Sequence, residues 1–306
     1  MPDGWVEREL VEEGQTCWLR ERRQEGGALS LARAFAVLPP PERLYSHLRL
    51  VYRIGPWREA RLVKDGINNL WHLARESRWR PEAQRVLAAI AHRDLLELSR
   101  RGAGPFDLLA FFRPEEALFL DLETCGLSST QPLFLVGVAF AEGADLVVRQ
   151  YLARSYEEEA GVLKAVAKLL PRFSLVFSYN GRSFDHPFLR QRSLIVQEPL
   201  DWNPWHVDLL FFTRRRFGAY LPDCRLFTVS RMVLGQARED DLPGSLVPEL
   251  YHRFVAEGDW LIIEPVLRHN DADLMAMIAL FQELASGAAA GPGASGTAAV
   301  AGAVGK

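Results

Sequence analysis

Cysteine is scarce in this sequence. Cys17, Cys125 and Cys224 are far apart and odd in number, so they make neither a disulfide framework nor the close pairs of a zinc site. Long apolar runs are missing as well. No stretch of eighteen apolar residues occurs, and a membrane-spanning helix is not expected. The start Met1-Pro2-Asp3-Gly4-Trp5-Val6-Glu7-Arg8 is charged and has no apolar signal region, which predicts a cytoplasmic location. An excess of positive charge is also lacking, with 36 Lys and Arg against 39 Asp and Glu and a formal net charge of -3. That balance argues against a protein that coats nucleic acid by bulk electrostatics. It leaves room for an enzyme that holds metal ions with acids and touches nucleic acid locally.

What is present is the composition of a globular protein, 48% apolar and 25% charged over 306 residues, enough for one large or two small domains. Residues 1–110 form an N-terminal region to which the sequence assigns no role. Short strands or turns are expected up to about residue 50, broken by Gly26-Gly27 and Pro39-Pro40-Pro41. From 57 to 112 apolar residues recur at helical spacing, as in Asn68–Ala74 and Ala83–Ala91. Trp57, Trp71 and Trp79 are expected there as packing aromatics rather than as bases' stacking partners. Gly102-Ala103-Gly104-Pro105 is the best internal boundary.

Residues 111–285 carry an α/β pattern. Ala117–Thr124 is a short apolar strand, Pro132–Ala141 and Leu146–Leu152 pair as an antiparallel hairpin, and Ser174–Tyr179 is a further strand. Ser155 with Glu158 has the spacing of a capping box, and a helix with Val162, Leu163, Val166, Leu169 and Leu170 on one face follows. Ser183 is the expected cap of the next helix, with Pro187 in its first turn. Trp205–Leu210 is a fifth strand or a helix entry, with Asp208 as a cap. The small-residue tail 286–306 is expected to be disordered.

The chemistry concentrates in acids. Asp121 and Glu123 are two apart on a strand and so share a face. Like charges that close raise each other's proton affinity, as does burial, and a divalent cation relieves both because hard cations take oxygen ligands. Asp185 follows a strand end, where open α/β sheets place their ligands. His269 and Asp273 are four apart and share a helix face if the first turn is already helical; Asn270 as a cap with Asp273 at the third helical position fits the same residues. Four carboxylates around one strand end suit a two-metal site for phosphoryl displacement. Histidine changes charge between about pH 5 and 8, so His269 is a candidate general base. Arginines such as Arg214, Arg215 and Arg216 suit phosphate and equally suit a solvated helix face.

The motifs Phe119-Leu120-Asp121-Leu122-Glu123-Thr124, Tyr179-Asn180-Gly181-Arg182-Ser183-Phe184-Asp185 and His269-Asn270-Asp271-Ala272-Asp273 resemble those of the DEDD 3′–5′ exonucleases of the ribonuclease H-like fold. The likeness is greatest to the YprB-like branch, extended by Cys224-Arg225-Leu226, Val233-Leu234-Gly235, Arg238, Asp241-Leu242-Pro243-Gly244 and Pro248-Glu249-Leu250-Tyr251. It covers about residues 115–284. The resemblance implies a mixed five-stranded sheet flanked by helices and two Mg²⁺ or Mn²⁺ ions on Asp121, Glu123, Asp185 and Asp273. It also implies removal of nucleotides from the 3′ end of single-stranded DNA or RNA, with Asn180 and Arg182 at the substrate backbone. One departure concerns the base. The better-studied members carry a histidine five residues, or a tyrosine four residues, before the last Asp, whereas His269 is four before Asp273. A structure-selective endonuclease with the same site, or an inactive nucleic-acid-binding module of this fold, are the alternatives.

Overall fold

The computed structural model describes residues 4–76, 78–236 and 242–289. Arg238 and Asp241 of the quoted motifs and tail residues 290–306 lie outside them. Two compact units form, residues 4–33 with 114–284 and residues 34–113 with 285–289. Gly102–Pro105 lies inside the second unit rather than at its edge.

The first unit is built on a seven-stranded sheet. In chain order its strands are β1 (Trp5–Glu12), β2 (Gln15–Gln24), β3 (Ala117–Thr124), β4 (Leu133–Glu142), β5 (Asp145–Leu152), β6 (Leu175–Ser178) and β7 (Trp205–Asp208). Their spatial order is β1-β2-β5-β4-β3-β6-β7. The five expected strands are β5-β4-β3-β6-β7, with β3 parallel to β6 and β6 parallel to β7. The hairpin β4–β5 is antiparallel as predicted, in register from Leu135↔Leu152 to Glu142↔Asp145. The first two strands are an addition the sequence did not announce. Residues expected to belong to a separate N-terminal region instead pair antiparallel with β5, from Trp18↔Leu152 to Gln24↔Leu146. They cover the β5 edge, where unpaired backbone groups would otherwise stay open.

Helices follow as α1 (Ala28–Ala36), α2 (Pro56–Lys64), α3 (Leu70–Leu73), α4 (Arg80–Ala91), α5 (Leu95–Arg100), α6 (Pro105–Leu109), α7 (Glu159–Leu169), α8 (Asp185–Ile195), α9 (Leu209–Phe217), α10 (Leu226–Met232), α11 (Val247–Glu257) and α12 (Trp260–Ala289). Helices α2 to α6 make the second unit, in agreement with the helical periodicity of 57–112. Asn69 and Asp94 cap α3 and α5 by accepting from the His72 and Glu97 N–H groups at 2.8 and 2.9 Å. Trp57 and Trp71 do not pack into this unit as expected; they are 71% and 57% exposed.

Alternation along β3 divides the core. Leu118, Leu120 and Leu122 join Val162, Leu163 and Val166 of α7 and Phe188 and Leu189 of α8 in one buried cluster. Phe119 points the other way, stacks on Phe177 with centroids 4.8 Å apart, and meets Phe281 of α12. A buried ion pair ties α7 to α8, with Arg192 donating to Glu159 at 2.7 and 2.5 Å and to the Ser129 and Thr130 carbonyls. Helix α12 runs through Pro265 and continues to Ala289, so residues 286–289 of the expected disordered tail are helical. Alanine is the best helix former and extends the preceding helix here.

Two caps differ from expectation. Ser155 makes no side-chain cap bond, and Glu158 accepts from the Arg154 N–H at 2.8 Å while pairing with the Arg154 guanidinium. Ser183 lies in the turn before α8, which starts at Asp185 behind Phe184. The turn is closed by His186 N–H donating to the Gly181 carbonyl. Among the described residues no helix is long and apolar enough to cross a membrane.

Candidate active site

The pairing of β3 with β6 stops at Phe119↔Phe177, and β3 continues beyond it. Asp121 and Glu123 stand on this free end, on the Phe119 face, opposite Gly137 and Leu135 of β4. The register then shifts between Glu123 and Thr124, a bulge of the kind that ends pairing beside functional sites. The Leu122 N–H, past the end of β6, finds Asp185 Oδ1 at 3.2 Å. That bond, made by a side chain on the first residue of α8, docks the helix start onto the strand end. Gly181 makes it sterically feasible: a Cβ there would lie 2.5 Å from Asp185 Oδ2 and from Ser178 Oγ.

Helix α12 supplies the other wall. Because the helix begins at Trp260, Asn270 is an interior residue and not a cap. It is fully buried and donates through Nδ2 to Asp121 Oδ2 at 2.8 Å, while its Oδ1 accepts from Gln150 Nε2 at 3.0 Å. Gln150 also donates to the Leu267 carbonyl at 2.7 Å. The side chain of Asn270 fits over the sheet only because Gly137 has none; a Cβ on Gly137 would lie 2.0 Å from Asn270 Oδ1. The sequence offered Asn270 as a helix cap; it instead supports Asp121 from inside the helix. Sequence reading missed Gly137 and Gln150, and a lone glycine inside an apolar strand is the signal that marks close approach. His269 and Asp273 do share a helix face, with Nε2 3.6 Å from Asp273 Oδ2.

The acids are electrostatically one cluster. Burial pushes the Asp121 carboxyl well above its ordinary range, and Glu123, Asp273 and Asp185 push it further, against the Asn270 hydrogen bond. Burial, then Asp273 and Asp185, raise Glu123 in the same way. Asp185 is raised to about 7, first by burial, against its backbone hydrogen bonds. Three carboxylates here thus resist ionisation, and neutralising them, by a proton or by a cation, relieves the conflict. Among the described residues, no three His, Cys, Asp or Glu side chains are grouped closely enough to hold one metal ion.

Asn180 and Arg182 occupy the turn after β6. Asn180 is left-handed, with φ 67°, and the backbone N–H groups of both residues donate to the Asp208 carboxylate at 2.9 and 3.3 Å. Asp208 also caps α9 through the Leu210 N–H at 3.1 Å, as predicted. Both side chains at 180 and 182 are exposed beside the acids' end of β6. Below them His206 accepts or donates to Ser178 Oγ at 2.7 Å, and burial lowers its pKa to about 4. Cys17 and Cys125 are buried, and burial raises both thiols to about 12.

A mixed sheet with acids at the free end of its central strand, completed by helix α12, is a ribonuclease H-like fold. The ribonuclease H superfamily model matches residues 118–285, and the chain belongs to that superfamily. It is 30% identical over 174 residues to the uncharacterised protein YprB of Bacillus subtilis, covering 56% of this chain and 42% of that one. It is 28% identical over 135 residues to DNA polymerase 1 of Aeropyrum pernix, covering 38% of this chain and 14% of that one. The chain thus spans less than half the length of either relative. A solved family B DNA polymerase from Pyrobaculum calidifontis aligns with a TM-score of 0.45 at 18% identity, over 56% of this chain and 25% of that one.

Proposed function

We propose that the protein is a metal-dependent 3′–5′ exonuclease that hydrolyses phosphodiester bonds at the 3′ end of single-stranded DNA or RNA. The observation that carries this reading is the placement of Asp121 and Glu123 on the free end of β3, with Asp185 docked beside them through the Leu122 N–H. Membership of a superfamily made up mostly of nucleases supports it, and likeness to a DNA polymerase supports nucleic acid as substrate.

Asp121, Glu123, Asp185 and Asp273 are the residues we assign to two Mg²⁺ or Mn²⁺ ions. When bound, such ions stabilise charge on the phosphoryl oxygens and lower the pKa of a water molecule. Asn270 fixes one oxygen of Asp121, and the Leu122 N–H fixes one oxygen of Asp185. His269, whose Nε2 is 3.6 Å from Asp273 Oδ2, accepts the proton of the attacking water. Arg182 and Asn180 contact the phosphate backbone of the substrate, the guanidinium being suited to bidentate contact.

The test compares a linear and a circular strand of one sequence, labelled and incubated with Mg²⁺ or Mn²⁺. Stepwise shortening of the 5′-labelled linear strand with the circle intact is expected. Cleavage of the circle would replace the reading with an endonuclease at the same acids.

A further inference from the structure

We propose that the helical unit, residues 34–113, is itself a single-strand nucleic-acid platform centred on Tyr52, Arg53 and Trp57. The proposal rests on the nuclease reading for the kind of strand it holds, and it gives a role to a segment that the acid motifs leave unexplained.

Charge is the first observation. Residues 34–113 contain fourteen Lys or Arg and eight Asp or Glu, a surplus of six positive charges in a chain whose net charge is -3. The rest of the chain therefore carries -9. A basic unit within an otherwise acidic chain is the footprint of local, not bulk, nucleic-acid contact.

Placement is the second. A cleft of about 370 Å³ lies wholly within this unit and is lined by residues 49–54 together with Glu82, Glu97, Arg100 and Arg101. Its charged lining is Arg49, Arg53, Arg100 and Arg101 against two carboxylates. Arg101 is held by both carboxylates, at 3.1 Å from Glu82 and 2.6 Å from Glu97. Arg49 pairs outside that lining with Glu59 at 3.0 Å. The guanidinium groups of Arg53 and Arg100 thus supply the cleft's surplus charge.

Exposed rings are the third. Tyr52 and Trp57 are each 71% exposed, although burying such rings is normally a large gain. Arg53 lies over the Tyr52 ring at 5.5 Å and Arg61 over the Trp57 ring at 5.9 Å. Arg58 on α2 donates to the Arg53 carbonyl at 2.6 Å, which fixes the Tyr52 turn to the start of the helix bearing Trp57. Aromatic faces alternating with guanidinium groups are what a strand needs, bases stacking on rings while phosphates meet cations.

Backbone strain is the fourth. Arg53 has φ 68° without being glycine. A residue with a side chain adopts that conformation uncommonly, and such outliers cluster where a binding surface dictates them. The turn projects Tyr52 and Arg53 together, which a glycine at 53 would achieve without strain but without a cation.

The test is oligonucleotide binding in EDTA, where hydrolysis plays no part, so a failure of the nuclease reading leaves this result interpretable. Fluorescein-labelled dT20 and rU20 are titrated with the full chain by anisotropy. The wild type, Tyr52→Ala/Trp57→Ala and Arg53→Gln/Arg100→Gln are compared, with thermal melts to verify folding. Both variants are expected to weaken binding by about tenfold or more, since stacking and phosphate contacts each contribute on that scale. The arginine variant is also expected to flatten the salt dependence. Because the altered side chains are surface groups, melting temperatures are expected to stay within a few degrees of wild type. Equal affinity in wild type and variants overturns the proposal, as does absence of binding in the wild type. Displacement of dT20 by poly-glutamate at equal charge also overturns it, in favour of an acidic protein partner.

Discussion

Gly137→Ala is the substitution that most directly probes how the site is assembled. The added Cβ would sit 2.0 Å from Asn270 Oδ1 and 2.6 Å from its Cγ and Nδ2. Asn270 is fully buried and cannot swing into solvent. Either β4 and α12 separate or Asn270 abandons Asp121. Overpacking a core costs about 1–3 kcal/mol, and leaving a buried polar group without its partner about 1–3 kcal/mol. Since only one of the two responses need be complete, a destabilisation of roughly 1–3 kcal/mol is expected. For a unit of this size that is a fall in melting temperature of roughly 2–12 °C. The assay is a thermal melt of four proteins: wild type, Gly137→Ala, Asn270→Ala and the double variant. In the double variant the methyl at 137 occupies space that Asn270 has vacated. Its stability should match that of Asn270→Ala alone, a coupling of about 1–3 kcal/mol between neighbours. A Gly137→Ala protein melting within about one degree of wild type, or a double variant whose losses simply add, would refute the packing argument.

Four further expectations follow from the same geometry. Asp185 binds its proton more tightly folded than unfolded, with a folded pKa of about 7. Its contribution to stability is therefore full at low pH and lost as pH rises through 7. Metal-free melts should fall over that window, less so in Asp185→Asn, and added Mn²⁺ should raise the melting temperature more at pH 8 than at pH 5.5. Gly181→Ala places a Cβ 2.5 Å from Asp185 Oδ2 and should weaken Mn²⁺ binding by about 10- to 100-fold, measured by calorimetry. Arg192→Ala strands the buried Glu159 carboxylate and should cost roughly 3–5 kcal/mol in denaturant unfolding, whereas replacing both partners with apolar residues should cost less. His269→Ala should slow hydrolysis by roughly 10²–10⁴-fold in single-turnover assays; a near-normal rate would transfer the base role to another group.

Local patterns carried much of the fold. The apolar run ending in Asp121 and Glu123, the β4–β5 hairpin, the Asp208 cap and the helical spacing from 57 to 112 are all set by residues within a few positions of one another. The motif order sufficed to identify the family. What escaped were long-range facts. Nothing in Trp5–Gln24 says that it will pair with residues 146–152, because strand pairing depends on which edge is left open. Ser183 has the composition of a cap, yet the helix starts after it because the Asp185 carboxylate is drawn to the Leu122 N–H, 63 positions away. Asn270 has the composition of a cap as well; the helix already passes through it, and its partners are Gln150 and Asp121 on two strands. Exposure of Trp57 and Trp71 was likewise invisible, since helical periodicity alone does not say which rings are covered.

The central claim is that the acids on β3, α8 and α12 run metal-dependent removal of nucleotides from a 3′ end. The measurement that tests it most directly is a time course on 5′-labelled single-stranded DNA and RNA, with Mg²⁺, Mn²⁺ or EDTA, for wild type beside Asp121→Asn. The account predicts a ladder shortening from the 3′ end only with metal, absent in the variant although it melts as a folded protein. Unimpaired cleavage by Asp121→Asn, or cleavage that persists in EDTA, would contradict it.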